Sequence, residues 1–168
     1  KWGEHIHRLA NALDEREVVP DARAKSISAE TTFAEDISDE DALLANLMQL
    51  TEQVAARCRQ HGFEGKTVNL KIRYHDFRTI TRSKTLAMPT SQTGQVWQTA
   101  KQLLLKQSRT QPDPVRLLGV GGSKLSKASQ GDLFADTRSE TGVDKTVDEI
   151  RGRFGAAALG RARTLGKP

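Results

Sequence analysis

The order in which two hydrophobic periods follow one another between residues 24 and 122 restricts the fold more than any other feature. Apolar residues at every second position indicate a strand, and apolar residues at steps of three and four indicate a helix. By these two rules the chain runs strand, helix, strand, strand, helix, strand. Few topologies accommodate this order, because connections are short and consecutive elements are usually neighbours.

The first strand is predicted at residues 25–33, KSISAETTF, and only one of its faces is apolar. That face carries Ile27, Ala29, Thr31 and Phe33. The opposite face carries Ser26, Ser28, Glu30 and Thr32. Such small side chains, rich in hydroxyl groups, suit either water or a partner that lies closely against the strand.

The next helix is predicted from about residue 39 to 61, with Ser38 as its N-cap and Asp41 as the capping-box acid. Its apolar face consists of Leu43, Leu47, Leu50, Val54 and Cys58. Residues 66–86 read as a hairpin with its turn at 75–77. The buried face of its first strand would consist of Val68, Leu70, Ile72 and Tyr74. A second helix begins near Ser91 or Thr93, and a last strand covers residues 115–122.

This βαββαβ order is the split βαβ, or ferredoxin-like, arrangement. We therefore predict an α+β domain in which a four-stranded sheet carries both helices on one face. The uncovered face would display the hydroxyl groups of the first strand together with Lys71 and Arg73.

Two appendages are predicted around this domain. An N-terminal helix and a linker containing Pro20 precede it. A polar tail, rich in glycine and serine, begins at Ser123. The tail holds a short amphipathic helix, capped by Asp144 and stopped by Gly155, that needs a surface to dock on. Its apolar face would consist of Val143, Val147, Ile150 and Phe154.

The charge balance favours a polyanionic partner. Lys and Arg outnumber Asp and Glu by 26 to 21, and the sequence pI is about 9.6. Residues 71–84 contain five cations and a single acid, Asp76. On paired strands these cations could contact a duplex backbone, and the alternative is a solvated sheet edge. Few aromatic residues lie on the exposed face, which argues against base stacking.

No catalytic set is evident in the sequence. The four histidines are scattered, and no carboxylate pair has metal-binding spacing. The glycines of GVGGSK, residues 119–124, do not fit a Walker loop and are read as permitting close approach of a partner. The single cysteine, Cys58, indicates a protein of the reducing cytoplasm. No apolar run is long enough for a membrane span, so we expect no membrane partner.

Several stretches carry a family resemblance in the same order along the chain: KSISAETTF, LKIRYHDFRTITRSKTL, PVRLLGVGGSKL, QGDLF and VDEIRGRFGAAALGRA. They resemble the C-terminal region of Y-family translesion DNA polymerases of the bacterial DNA polymerase IV type. The resemblance implies that residues 1–23 are the end of the thumb and the linker, and residues 24–124 the little finger domain. Residues 125–168 would be the C-terminal tail with a clamp-binding motif and the short helix.

The resemblance implies a non-catalytic region that grips primer-template duplex by its backbone and docks to the sliding clamp through its tail. The implied DNA contacts are Ser26, Ser28, Lys71, Arg73, Arg82, Lys84 and Arg116. The implied clamp contacts are Gln130, Asp132, Leu133 and Phe134, while Gly131 departs from the family pattern. The alternative function is a clamp-docking interaction module, including one from a catalytically inactive polymerase-like protein.

The parent protein would be a DNA-directed DNA polymerase that acts in translesion synthesis and DNA repair. Its palm, fingers and thumb would belong to the same chain, and magnesium would serve the palm. No cofactor is expected in the residues present here.

Overall fold

The computed structural model describes residues 2–17, 20, 24–128 and 138–162, the side chains of 138–141 excepted. In chain order the elements are α1 (Trp2–Ala10), β1 (Ser26–Ile37), α2 (Glu40–Gln60), β2 (Phe63–Tyr74), β3 (Thr79–Thr90), α3 (Thr93–Thr110), β4 (Val115–Lys127) and α4 (Arg138–Phe154). One 3₁₀ turn follows at Ala156–Ala158. The order of helices and strands from β1 to β4 confirms the predicted α+β fold.

The four strands form one antiparallel sheet in the order β1-β4-β2-β3. β4 and β2 are therefore central, and β1 and β3 are the edges. α2 packs against β1 and β4, and α3 packs against β2 and β3. Both helices cover the same face, and the other is called the open face below.

The core lies between the two helices and the covered face of the sheet. The predicted apolar face of α2 is confirmed, since Leu47 is fully buried and its partners along the helix are nearly so. The same holds for β2, where Leu70 is fully buried. The buried hydroxyl group of Tyr74 accepts a hydrogen bond from Nε2 of Gln107 at 3.1 Å, which satisfies it inside the core.

Several element ends differ from the prediction, since β1 continues to Ile37 and the hairpin spans 63–90. The N-cap of α2 is Asp39 and not Ser38, because the Asp39 carboxylate accepts a hydrogen bond from the amide of Ala42 at 2.9 Å. Ser and Asp are comparable caps, so the sequence could not separate two neighbours. β4 runs on to Lys127, because residues 123–127 continue to pair with β2. The polar tail therefore does not begin at Ser123.

The predicted capping role of Asp144 is also wrong, because α4 begins six residues earlier, at Arg138. Asp144 instead caps α3: its carboxylate accepts a hydrogen bond from the amide of Thr93, the first residue of that helix, at 2.7 Å. Gln92, the N-cap of α3 by position, makes no side-chain capping bond. A residue of α4 thus supplies a cap that α3 lacks in its own sequence.

An ion-pair cluster holds α4 to the end of α2. Nε of Arg59 lies 2.6 Å from Oδ2 of Asp148, and Nη1 of Arg59 lies 3.2 Å from Oδ2 of Asp144. Burial alone would lower the pKa of Arg59, but the hydrogen bond to Asp148 and the two carboxylate charges outweigh it and raise the pKa above its ordinary value. Arg59 therefore stays charged, and its two carboxylate partners offset the cost of burying it.

The same cluster continues along one face of α4, because Asp144, Asp148 and Arg151 are four and three residues apart. Arg151 lies 3.0 Å from Glu52 of α2, which also contacts Arg161 at 2.8 Å. Arg161 in turn lies 3.1 Å from Asp144. The docked stripe of α4 is thus polar, whereas two residues of its predicted apolar face, Val143 and Phe154, are 57% and 67% exposed.

The apolar stripe of α1 is exposed in the structure. Trp2, Ile6 and Leu9 lie on it, and none of them is buried. No helix in the described part of the chain has the length and apolarity that a membrane crossing requires.

Candidate nucleic-acid interface

Sixteen residues form a four-by-four array on the open face. Directly opposed residues of antiparallel strands share a face, so the strand register gives the rows. In the order β1, β4, β2, β3, the rows are Ser26, Ser123, Thr67, Thr85; Ser28, Gly121, Asn69, Ser83; Glu30, Gly119, Lys71, Thr81; and Thr32, Leu117, Arg73, Thr79. Nine of the sixteen bear a hydroxyl group, two are glycines, three are charged and none is aromatic.

Cross-strand hydrogen bonds hold this array in place. The hydroxyl groups of Thr67 and Thr85 are 3.0 Å apart, and Nδ2 of Asn69 donates to Oγ of Ser123 at 2.9 Å. A hydroxyl group is one donor and two acceptor positions, so these bonds leave further capacity for a ligand. These bonds fix the side chains of the open face without a ligand, so ligand binding would not need to order them.

The two glycines keep the middle of the open face low. A Cβ atom at Gly119 would lie 3.1 Å from Cβ of Glu30 and 3.4 Å from Cβ of Lys71. A Cβ atom at Gly121 would lie 3.1 Å from Cβ of Ser28. A side chain at Gly119 would crowd both neighbouring strands and one at Gly121 would crowd β1, so β4 forms a shallow trough along the face.

The open face carries little net charge. Nζ of Lys71 lies 2.9 Å from Oε2 of Glu30, and this contact passes over Gly119 between the two strands. Nε of Arg73 donates to the hydroxyl group of Thr79 at 2.9 Å and makes no ion pair among the described residues. Because Glu30 offsets one of the two cations, the array carries one net positive charge.

Four of the seven predicted DNA-contact residues lie in this array: Ser26, Ser28, Lys71 and Arg73. The predicted placement of Arg82 and Lys84 there is wrong. They oppose the core residues Leu70 and Val68, so their side chains start from the covered side of the sheet. Nζ of Lys84 accordingly contacts Oε1 of Gln102 on α3 at 2.9 Å.

Arg116 is the seventh predicted contact, and it lies outside the four rows. The pairing of β4 with β2 shifts between Arg73 and Tyr74, so Arg116 is the extra residue of a bulge. Its guanidinium group contacts Asp36 at 3.1 and 3.2 Å and lies over the ring of Phe77, 4.6 Å from the centroid. Strand alternation cannot assign a face at a bulge, so the register does not place Arg116 on the open face.

The sequence prediction missed the contribution of β3, whose Thr79, Thr81, Ser83 and Thr85 complete the open face. A signal was present in the sequence. Ile80 and Leu86 pack against the core, and their spacing fixes which alternate residues of β3 face away from it.

The predicted clamp contacts Gln130, Asp132, Leu133 and Phe134 lie outside the described residues. Among the residues that are described, no group of three or more His, Cys, Asp or Glu side chains could hold a metal ion.

The comparisons with known proteins agree on one family. The impB/mucB/samB family C-terminal domain matches residues 24–133. DNA polymerase IV of Caulobacter vibrioides is 40% identical and matches 97% of this chain and 41% of its own length. DNA polymerase IV 1 of Mesorhizobium japonicum is 38% identical and matches 98% of this chain and 38% of its own length. The chain thus spans about two fifths of these curated relatives.

Solved structures share the fold at low sequence identity. A Y-family DNA polymerase chimera superimposes with a TM-score of 0.55 at 16% identity, over 73% of this chain and 35% of the chimera. The insertion ternary complex of Dbh DNA polymerase gives a TM-score of 0.52 at 15% identity, over 73% of this chain and 34% of that one.

Proposed function

Because the chain belongs to the impB/mucB/samB family C-terminal domain, the C-terminal region of Y-family DNA polymerases, we propose that its open face grips primer-template DNA by the phosphate backbone. The observation that carries this proposal is the array of small hydroxyl-bearing side chains. Ser and Thr hydroxyl groups donate to phosphate oxygens, and such contacts carry no sequence information.

The trough along β4 supports close approach of a backbone. Gly121 lets a phosphate come near the sheet, with the hydroxyl groups of Ser28 and Ser83 at the two ends of its row, whereas the ion pair of Lys71 and Glu30 covers Gly119. The array contains no aromatic side chain that could stack on a base. A surface that reads phosphates and ignores bases accepts any template, including a damaged one, as translesion synthesis requires.

The small net charge predicts an unusual salt response. Lys71 is already paired with Glu30, so Arg73 is the main source of counterion release on this face. Each neutralised phosphate contributes a slope of about −0.9 to the logarithm of the affinity against the logarithm of the salt concentration. The open face should therefore contribute a slope of only about −1 to −2, with hydrogen bonds supplying the remaining affinity.

The proposal is tested by fluorescence anisotropy with a labelled primer-template duplex. The Ser28→Ala, Ser83→Ala double variant removes two hydroxyl groups from one row and no charge. We expect each lost hydroxyl group to weaken binding roughly fivefold to tenfold, with the salt slope unchanged. The matched control is Ser38→Ala, an exposed serine outside the array. Equal affinities for the double variant and the control would refute the grip by the open face.

The activity of the whole polymerase is also a proposal. We assign magnesium-dependent nucleotide addition to the palm and fingers that the family resemblance implies, and a holding role to this region. The prediction for the intact polymerase is that the same double variant lowers the number of nucleotides added per binding event and leaves single-nucleotide addition at saturating DNA unchanged.

We further propose that Gln130, Asp132, Leu133 and Phe134 bind the sliding clamp. The supporting observation is their position, between the end of β4 at Lys127 and the start of α4 at Arg138, so the motif is joined at both ends to elements of the domain. Calorimetry should show clamp binding that the Leu133→Ala, Phe134→Ala double variant abolishes and the exposed-site control Lys145→Ala retains. Unchanged binding by the double variant would place the anchor elsewhere.

A further inference from the structure

One continuous stretch of the chain, residues 77–112, contains no acidic residue. Asp and Glu make up 21 of the 168 residues, so about four would be expected in a stretch of this length. The same stretch contains six basic residues: Arg78, Arg82, Lys84, Lys101, Lys106 and Arg109. It forms β3 and α3, which are neighbours in space, so the absence of acids concerns one region of the surface.

Three of these cations, Lys84, Lys106 and Arg109, lie at a shallow groove. Gln102, Lys106 and Arg109 are four and three residues apart on α3, so they share one side of that helix. They line a groove of about 400 Å³ together with Leu105 and Thr110. Lys84 reaches it from β3, because its ammonium group donates to Oε1 of Gln102 at 2.9 Å. We call this feature the α3–β3 groove.

Arg78 pairs with Asp76 and Asp113, but the other cations of this stretch lack acidic partners within the described part of the chain. Arg82, Lys84, Lys106 and Arg109 form no salt bridge there, although Lys71 and several arginines elsewhere are paired. Arg82 donates only to the backbone oxygen of Thr81, at 3.1 Å. Like charges collected without counter-charges repel one another, and a bound polyanion would relieve that repulsion.

The groove adjoins the open face along a free sheet edge. β3 is an edge strand, and its alternate residues point to opposite sides. Thr81 and Ser83 therefore belong to the open face, while Arg82 and Lys84 start from the covered side, where Lys84 reaches the groove. A phosphate backbone that crosses β3 from the open face would meet these two cations next.

We propose that the α3–β3 groove binds the phosphate backbone of single-stranded DNA, as a site separate from the open face. The groove is too small for a duplex but can take one backbone. It contains no aromatic residue in its lining, so it would bind without sequence preference. The inference rests on the proposed function only in taking DNA as the polyanion.

Two labelled probes test this inference on the full chain by fluorescence anisotropy: an oligothymidine and a blunt duplex of equal length. The groove variant is Lys106→Ala, Arg109→Ala. Its control is Lys145→Ala, Arg153→Ala, which removes the same charge from exposed positions of α4. Two lost contacts to a single strand should reduce the salt slope by about 1.4 and weaken oligothymidine binding about 25-fold at 0.1 M salt.

The groove variant should bind the blunt duplex as the control does. Equal loss on both probes, or a loss on oligothymidine no greater than that of the control, would overturn the inference. Arg73→Ala, on the open face, should show the reverse pattern, with the larger loss on the duplex. The two proposals are therefore tested independently. If Arg73→Ala did not weaken duplex binding, the grip by the open face would be refuted, and the result for the groove would be unaffected.

Discussion

Replacement of Asp144 by alanine removes three interactions at once, because one carboxylate caps α3, contacts Arg59 and contacts Arg161. Loss of an N-cap costs about 1 kcal/mol of stability. Arg59 keeps Asp148 at 2.6 and 2.9 Å, so it is not left as an orphaned buried charge, which would cost about 3–5 kcal/mol. We therefore expect the free energy of unfolding to fall by about 2–3 kcal/mol.

Urea denaturation followed by circular dichroism measures this change at constant slope against denaturant. Asp144→Asn separates the contributions, because an amide oxygen can still accept from the amide of Thr93 but carries no charge to hold Arg59. It should lose about half as much as Asp144→Ala. The control is Glu149→Ala, an exposed acid of the same helix, which should stay within about 0.5 kcal/mol of the parent. If Asp144→Ala matched Glu149→Ala, α4 would not be part of the cooperative unit.

Three further outcomes follow from the geometry. Arg73→Ala should weaken binding to blunt duplex DNA and reduce its salt slope by about 0.9, whereas Arg82→Ala, on the other side of β3, should leave the duplex slope unchanged in the same titration. Gly119→Val should lower both the midpoint of urea denaturation and duplex affinity, because its side chain would displace Glu30 and Lys71, which pair over Gly119; a variant with normal stability and affinity would contradict the packing. Burial raises the pKa of the Cys58 thiol, so a disulfide reagent at pH 8 should modify Cys58 only after the protein unfolds. The stability that the neutral thiol contributes should be lost as the pH rises above the pKa of the unfolded thiol. Rapid modification of the folded protein would refute this.

The sequence was sufficient for the order of elements because each buried face repeats without interruption. Val68, Leu70 and Ile72 alternate strictly, and the structure buries all three. It was insufficient for β3, where Arg82 and Lys84 lie between the core residues Ile80 and Leu86. At a sheet edge the covered side is open to solvent, so cations occur on it and charge does not reveal the face.

The docking of α4 could not be predicted from local patterns. The pattern drew attention to its apolar residues, but the contacts that hold it are ionic and distant in sequence. Asp144 and Thr93 are 51 residues apart, and Arg59 and Asp148 are 89 apart. A cap supplied by another helix leaves no mark in the sequence of the helix that it caps. The bulge at Arg116 is a similar case, because its register depends on two partner strands at once.

The place of β4 in the sheet has a consequence for how the chain folds during synthesis. β4 is the last strand to be made, yet it lies between β1 and β2 and pairs with both. Until the ribosome has released residues 115–127, β1 has no neighbour in the sheet and its partner residues are still nearly a hundred positions away, as for Ser26 and Ser123. Closing so long a loop is slow. The β2–β3 hairpin with α3 can form first, and the four-by-four array of the open face is complete only when β4 is inserted between β1 and β2.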